Sequence, residues 1–544
     1  MIRSPLPSRL RGAVARTRAA IAAMLVGLLA LSGCAVAQGA TLTDNTLVIA
    51  IESEADILDP QSAGGWVTWR INRQIFEPLV TEDLRTPSSE ASVPALEGGL
   101  AESWDISEDG KTYTFHIRQG VTFHDGEPLD ADAVEYNVRR MWDPESPQYS
   151  SRAAGQTSKV WQFTEDVRTP DKYTVVVELS QPFSAFIRML AQGGGGSTAI
   201  MSPKSIEEWG PDVADHPVGT GPFKFDERIR GERISLTRND DYWGTTPQLD
   251  GVVFRPMPNS SARIAALRAG EVDIVTVPSP DSVDAIREEG FTISEGTPPH
   301  LWYLSFNHTD PNMQKWEVRK AINLAIDREG MASDLLSDTV LPAYDVQPPA
   351  IDVWEKRDDL FYRDLAEARE LLASVGLEDG FSTTLITSTD GSGQIIPAEM
   401  AQYIQQNLAE IGIDVTLHTQ EWISYISFHN EGLKDGTGMG QMSWGMTTPF
   451  WLYLVASKTQ IAPNGSNVGY YDNPELEAAM NEAITSPTEE EALPHWAEAN
   501  EIAAEDYFMV PVVNDKAPMA LSPRVTGFVS ASEEWYDLIE VGLQ

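Results

Sequence analysis

Hydrophobic residues alternate with polar ones most clearly over residues 112–118. Every second residue there, from Tyr113 to Ile117, is hydrophobic, so a strand would have one apolar face and one polar face. The preceding Glu-Asp-Gly at 108–110 is typical of a hairpin turn, because Gly tolerates the positive φ that such turns need. Further on, Asp130 precedes an apolar helical stripe, which predicts a helix with Asp130 at its N-cap.

Strand and helix patterns alternate along the rest of the chain. Residues 173–179 form a second alternating strand, and residues 302–307 and 509–513 form apolar strands. Between these last two, helical and strand patterns succeed one another, which is typical of an α/β unit. Helices are predicted at 316–326, 364–375, 399–411, 474–484 and 488–504, and strands at 385–386 and 415–417.

The length and composition predict a large folded protein. A chain of 544 residues is too long for one ordinary hydrophobic core, so two or three structural units are expected. Hydrophobic residues make up 42% of it and aromatic residues 9%, which argues against long disordered stretches. The net charge of −42 argues against nucleic-acid binding, which needs clustered positive charge. The acidic surface favours solubility or attracts cationic ligands, and net charge does not separate the two.

The first 40 residues have the composition of an export signal. Residues 1–18 contain five arginines, and residues 19–31 form an uncharged apolar run that is too short for a membrane span of about 20 residues. This pattern predicts a secretory signal peptide, a short tether and a periplasmic protein. Cys34 ends a Leu-Ser-Gly-Cys sequence that resembles a lipobox, whereas Ala37 ends an A-x-A cleavage site that would remove Cys34. Both alternatives stay open.

Motifs of catalysis and metal binding are absent from the sequence. It contains no Gly-x-Ser-x-Gly, His-Glu-x-x-His or Walker sequence. Its only cysteine is Cys34, which leaves no thiol nucleophile and no disulfide in the folded part. The four glycines at 193–196 lack the Lys-Ser/Thr ending of a phosphate loop, so we interpret them as a backbone turn. The eight histidines show no close pairing, and we expect no enzyme activity, no cofactor and no resident metal.

Several short motifs follow one another in the order in which one protein family carries them. Residues 99–137 resemble the signature of the family 5 solute-binding proteins of ABC importers, a group that includes dipeptide, oligopeptide and nickel receptors. Together the motifs cover nearly the whole chain after the export signal. The further matches are Leu-Asp-Pro at 58–60, Pro-Val-Gly-Thr-Gly-Pro at 217–222, Ala-Gly-Glu at 269–271, Phe-Asn at 306–307 and Val-Arg-Lys-Ala-Ile at 318–322.

The resemblance implies an α/β, two-lobed periplasmic-binding-protein-like fold of the class II type, with a smaller inserted domain and a ligand cleft between the lobes. The strand at 302–307 would carry the chain into lobe two, and the strand at 509–513 would return it to lobe one. The domains are predicted at 41–84, 209–303 and 512–544 for lobe one, 85–208 for the inserted domain and 304–511 for lobe two.

The ligand site is predicted around Trp444. Peptide-binding members of the family carry, shortly after a Gly-Trp pair, an Asp that binds the amino group of the peptide. Trp444 matches that Trp, but Ser443 replaces the Gly, and Thr447 lies where the Asp would be. A buried ammonium needs a paired carboxylate. Either another acid therefore binds the amine, or the ligand has no amine at this place.

Aromatic residues supply the other candidates for the site. Trp422 and Trp66 are expected to line the cleft with Trp444, because indole rings stack on apolar and cationic groups. Met446, beside Thr447, is a further candidate. For each of these aromatic residues, packing in the hydrophobic core is the competing interpretation.

The resemblance also implies the function. The chain would capture a solute, by family default a peptide or peptide-like molecule, for the permease subunits of an ABC importer in the inner membrane, and would act as a monomer. An oligosaccharide, an opine-like conjugate or a nickel complex stays as an alternative ligand. A periplasmic hydrolase and a peptide chaperone are the rival function classes.

Overall fold

The structure is a computed structural model that describes residues 43–87, 92–191, 198–391, 393–445 and 447–544. Three sequence predictions concern residues outside these ranges: the export signal with Cys34, the glycine run at 193–196, and Met446. Residues 45–544 form one unit, and the fold described below is that of this unit.

Strands and helices alternate through this unit, as the sequence predicts. The strands are β1 Thr46–Ile51, β2 Val80–Glu82, β3 Leu96–Gly98, β4 Ala101–Ile106, β5 Thr112–Ile117, β6 Thr164–Asp171, β7 Thr174–Leu179, β8 Phe223–Ile229, β9 Arg233–Arg238, β10 Gly251–Pro256, β11 Ile274–Thr276, β12 Thr292–Ser294, β13 His300–Phe306, β14 Val340–Pro342, β15 Phe381–Ser388, β16 Ile413–Gln420, β17 Met439–Gly445, β18 Met509–Asp515, β19 Met519–Leu521, β20 Val525–Thr526 and β21 Gly542–Leu543. The helices are α1 Trp66–Ile75, α2 Ala131–Trp142, α3 Ser151–Trp161, α4 Phe186–Ala191, α5 Pro203–Trp209, α6 Ser260–Arg268, α7 Val283–Glu288, α8 Trp316–Ala325, α9 Arg328–Gly330, α10 Leu365–Ser374, α11 Pro397–Ala409, α12 Trp422–Asn430, α13 Trp451–Ala456, α14 Pro474–Ile484 and α15 Glu489–Glu505.

The first sheet has the strand order β12-β19-β11-β1-β10-β9-β8. β1 lies in its interior and pairs in parallel with β10 and β11. Leu47 and Ile49 belong to one hydrophobic core, while Ala50 of the same strand belongs to another. Both faces of β1 are therefore buried, which explains its nearly continuous run of apolar residues.

The second sheet has the order β14-β18-β13-β17-β15-β16. β15 pairs in parallel with β16 and β17, and the parallel connections run through helices. α8, α10 and α11 pack their apolar residues into the core beside this sheet. The sequence prediction of an α/β unit in this part of the chain is confirmed.

The chain passes between the two sheets twice. β12 and β19 belong to the first sheet, whereas β13 and β18 belong to the second. The passages are therefore the short segments 295–299 and 516–518, and the strands predicted at 302–307 and 509–513 lie inside the second sheet. The predicted boundaries of the domains stay a prediction.

A third sheet, in the order β4-β5-β7-β6, forms the inserted region. Tyr113, Phe115 and Ile117 of β5 are buried, as their alternation predicts. Asp130 caps α2 by accepting a hydrogen bond from the backbone N–H of Ala133 at 3.1 Å. Both predictions for this stretch are confirmed.

Buried polar contacts fasten the inserted region to its surroundings. Asp59, in the Leu-Asp-Pro turn, lies 2.6 Å from Arg140 of α2, and both side chains are almost fully buried. On the other side, the Ser184 hydroxyl donates to the carbonyl of Ala483 at the end of α14, at 2.9 Å. Breaking a buried ion pair costs about 3–5 kcal/mol, so the turn holds α2 in a fixed position.

The Pro-Val-Gly-Thr-Gly-Pro motif has a packing reason. A Cβ atom at Gly219 or Gly221 would collide with the backbone at Ile75, the last residue of α1. Only glycine permits the chain to pass so close to the helix end.

Among the helices of the described ranges, none combines the length and hydrophobicity that a membrane span requires.

Candidate ligand-binding cavity

A cavity of about 900 Å³ lies at the carboxyl ends of parallel strands from both large sheets. This edge is where open α/β sheets bind ligands, and the volume falls within the range of about 300–1,000 Å³ for ligand sites. Its wall includes residues that directly follow β1, β10, β11 and β15, together with residues of α1, α3, α12 and β17.

Three of the predicted site residues meet in this cavity. Trp66 at the start of α1, Trp422 at the start of α12 and Trp444 of β17 all contribute to its wall. All three rings are partly exposed rather than fully buried. Their position agrees with the cleft interpretation, while their role in binding stays a prediction.

The other two predicted residues do not join them. Thr447 is buried and lines a smaller cavity of about 60 Å³ with Ser184 and Arg188; it is not among the described residues that line the large one. Met446 lies outside the described residues. The predicted contact of Thr447 with a ligand therefore has no support from its position.

Lys159 faces Trp444 across the cavity wall. Its Nζ atom lies 5.6 Å from the centre of the Trp444 ring, within the range of a cation–π contact. Burial lowers the pKa of Lys159 to about 8. Among the described residues, no carboxylate lies within ion-pair distance of this ammonium group. The cavity thus contains a partly desolvated cation that has no neutralising partner in the described part of the chain.

Unlike Lys159, the acidic residues that follow β1 have oppositely charged partners in the protein. Three of them line the cavity, and each has a cationic neighbour in the protein. Their charge is therefore already matched, and they are less available to a ligand than Lys159 is. The pairs are Glu52–Arg70 at 2.9 Å, Glu54–Arg228 at 2.8 Å and Asp56–Arg152 at 3.9 Å.

A buried cluster of charges lies beside the cavity where the chain passes between the sheets. Arg70 of α1 binds Glu52 and, at 3.1 Å, Glu534 near the C-terminus. His300 at the start of β13 lies 2.9 Å from Glu534 and 3.6 Å from Asp515 at the end of β18. We call these five residues the crossing cluster. It ties both passages to α1 and to the C-terminal segment.

His300 carries a charge in this cluster. Burial lowers its pKa, but the hydrogen bonds and negative charges of Asp515 and Glu534 outweigh burial and raise the pKa to about 9. The ring also lies against Trp66, with 4.7 Å between the ring centres. The cluster therefore positions one of the aromatic rings of the cavity wall.

Sequence reasoning missed Lys159 and the crossing cluster. Lys159 lies in an ordinary amphipathic helix, and nothing in its neighbourhood distinguishes it from a surface lysine. Members of the cluster are separated by up to several hundred residues, so their meeting depends on the tertiary fold. A lysine followed by Val160 and Trp161 is at most a weak indication of partial burial.

We predict that stability falls in alkaline solution because His300 loses its proton. Its pKa in the folded protein, about 9, exceeds the ordinary value of 6.5, so its contribution is complete below pH 6.5 and is lost as pH rises through about 9. The difference between these two pKa values corresponds to a contribution on the order of 3 kcal/mol to the free energy of unfolding. Denaturant titrations between pH 6.5 and 10 measure it.

The matched variants are His300→Gln and His308→Gln. His300→Gln should abolish most of the alkaline decrease. His308 is half-buried, and desolvation and the charge of Arg319 lower its pKa to about 3, so its replacement should leave the alkaline decrease unchanged. An identical decrease in wild type and His300→Gln would show that other groups cause it.

Comparisons with known proteins agree on one family. The family model described as "Bacterial extracellular solute-binding proteins, family 5 Middle" matches residues 95–463. The Glutathione-binding protein GsiB of Salmonella paratyphi A is 30% identical over 497 residues, which cover 90% of this chain and 92% of GsiB.

Solved structures give the same result. The periplasmic binding protein DppA from Helicobacter pylori, in complex with the peptide STSA, has a TM-score of 0.80 and 27% identity, covering 92% of this chain and 98% of DppA. A dipeptide binding protein from Pseudoalteromonas sp. SM9913 has a TM-score of 0.81 at 23% identity, covering 92% and 100% of the two chains, and supports the fold alone. The predicted two-lobed α/β fold and the predicted family are confirmed. The chain belongs to family 5 of the bacterial extracellular solute-binding proteins, the ligand-capturing components of ABC importers.

Proposed function

We propose that this receptor binds an acidic, peptide-like solute of the glutathione type in the large cavity and delivers it to the permease subunits of an ABC importer. The carboxylate of the ligand would bind Lys159, and an apolar or planar part of the ligand would pack on Trp444. The protein would act as a monomer and without a cofactor.

The ammonium group of Lys159 is the observation that carries this proposal. A cation that is partly removed from water and has no acid beside it costs free energy. A ligand carboxylate would supply the missing partner, and hydrogen bonds to charged groups contribute about 1.5–3 kcal/mol each. An uncharged oligosaccharide or a cationic nickel complex would leave the ammonium unmatched, so both alternatives are less favourable.

The relatives support a peptide-like ligand. GsiB is named for glutathione, an acidic tripeptide, and DppA was solved with a short peptide. Thr447 or a neighbour takes the place of the family's expected Asp, so no acid at that place would bind an amino group of the ligand. The α-amino group of glutathione would then need a different acid as its partner.

The relatives are named as binding proteins, which supports a receptor that does no chemistry on its ligand. Incubation with glutathione followed by mass spectrometry tests this point. We expect recovery of the intact tripeptide. Hydrolysis products that depend on the protein would favour the periplasmic hydrolase instead.

Lys159→Gln should weaken glutathione binding by about tenfold or more, because the charged partner of the carboxylate is lost. Isothermal titration calorimetry measures the change. Lys172→Gln is the matched control, since Lys172 is an exposed lysine 5.3 Å above the ring of Tyr173. Equal losses in the two variants, or none in Lys159→Gln, would contradict the assignment.

The pH dependence gives the same experiment a second readout. Binding of an anion favours the charged form of Lys159, whose pKa is about 8 in the free protein. Affinity should therefore be constant below pH 8 and fall above it. The same measurement on Lys159→Gln shows how much of the pH dependence comes from groups of the ligand. The affinity of this variant should depend less on pH than that of the wild type.

Trp444→Ala should weaken binding by about 2 kcal/mol or more, in the range of a buried aromatic anchor. Trp444 also lies 6.4 Å from Trp451 in an edge-to-face arrangement, so the competing role is packing. Calorimetry and thermal unfolding measured together separate the two roles. Trp209→Ala is the control, because Trp209 is exposed and lies outside the cavity wall. Unchanged affinity with a lower melting temperature would favour packing.

Export through the segment before residue 41 completes the proposal. The mature protein would be periplasmic, either anchored by a lipid on Cys34 or released by cleavage after Ala37. Mass spectrometry of the mature N-terminus tests this. A lipid-modified Cys34 supports the lipoprotein, a start at Gln38 supports the soluble form, and an uncleaved chain contradicts both.

A further inference from the structure

Helix α12 presents apolar side chains to the large cavity. Trp422, Ile423 and Ile426 all line its wall. The same face of the helix is anchored in the protein, since Tyr425 and His429, three and seven residues after Trp422, are buried and the Tyr425 hydroxyl donates to the carbonyl of Gln441. The outward side of the helix carries the exposed residues Ser424, Ser427 and Asn430, as in an ordinary surface helix, and Ile423 is an apolar residue at the border of that polar side.

Ile423 is the most unusual of these residues. It is 68% exposed to solvent, more than any other large hydrophobic residue in the described ranges. The comparable residue Ile106, in β4, is 42% exposed and lies outside the cavity wall. A single exposed isoleucine is common, but here it adjoins Trp422 and Ile426 on the same wall.

The apolar wall is held in place by its neighbours. Glu421 accepts hydrogen bonds from the backbone N–H groups of Ile423 and Ser424, at 3.1 and 3.4 Å, and so caps the helix. Gly391 lies so close to the Trp422 ring that a Cβ atom there would collide with it. Trp422 also stacks on Tyr425, with 6.1 Å between the ring centres. The surface is thus preorganised to receive a group rather than to rearrange.

We propose that the ligand carries an apolar substituent that packs on Trp422, Ile423 and Ile426 while its carboxylate binds Lys159. This inference rests on the proposed function and narrows it to acidic peptides with an alkyl or aryl group. The cavity of about 900 Å³ is near the upper end of the usual range for ligand sites, so it has room beyond an unsubstituted tripeptide.

The experiment uses two probes with the same charges, glutathione and S-hexylglutathione, which differ only in an alkyl chain on sulfur. Calorimetry on the full chain should give about tenfold or greater preference for the S-hexyl compound, since apolar contacts of one or a few methylene groups change affinity by about 10–200-fold. Ile423→Ser should reduce this preference to less than about threefold. Ile106→Ser, the matched control, should leave it unchanged.

Each outcome decides between the two proposals. The apolar subsite is overturned if the wild type binds S-hexylglutathione and glutathione with nearly equal affinity. It is also overturned if Ile423→Ser keeps the full preference for the S-hexyl compound. In that case a loss of affinity for both probes in Lys159→Gln still supports the acid-binding receptor. If Lys159→Gln weakens both probes equally and Ile423→Ser weakens only the S-hexyl compound, both proposals are supported. Absence of binding by either probe overturns both.

Discussion

The crossing cluster is the constraint on which the rest of the structure depends. It pairs buried charges from five separate segments, three carboxylates and two cations, at the place where the chain passes between the two large sheets. A buried ion that loses its partner costs several kcal/mol, so none of these segments can shift alone without a penalty. The cluster fixes His300, and His300 in turn supports Trp66 at the cavity wall.

The charged groups of the cavity wall differ in how they are paired. The three acids near β1 each have a cationic neighbour, whereas Lys159 has no acidic partner among the described residues. Two further acids, Asp390 and Glu421, also line the cavity, so its wall, like the whole chain, carries more acids than cations. A low-dielectric wall strengthens the field of an unpaired group. The net charge of the chain therefore bears on its solubility, while the proposed preference for an acidic ligand rests on the local surroundings of Lys159.

The sequence predicted the architecture well, because the spacing of hydrophobic residues and the capping of helices are local properties of the chain. The alternation at 113–117, the cap at Asp130 and the α/β pattern after residue 316 all correspond to described elements. The motif order also predicted the family, which is confirmed. The domain boundaries stay a prediction; the strands next to the two passages pair fully inside the second sheet, and only short segments separate the two sheets.

The site was predicted only in part. Trp66, Trp422 and Trp444 reach one cavity, two of them from the first turns of helices and one from the end of a strand. Thr447, three residues after Trp444, belongs to another cavity, because the chain turns after β17 and the motif alone does not specify where that turn points. Lys159 and Ile423 are ordinary helical residues in sequence, and their exposure to one space is a property of the assembled lobes.

The position of β19 has a consequence for how the protein is made. This strand lies between β11 and β12 and pairs with both, although all six strands of the second sheet come between β12 and β19 in the chain. A nascent chain that has not yet emerged as far as residue 521 leaves β11 with an unpaired edge, which invites contact with other chains. The first sheet is therefore completed only after every strand of the second sheet has been synthesised.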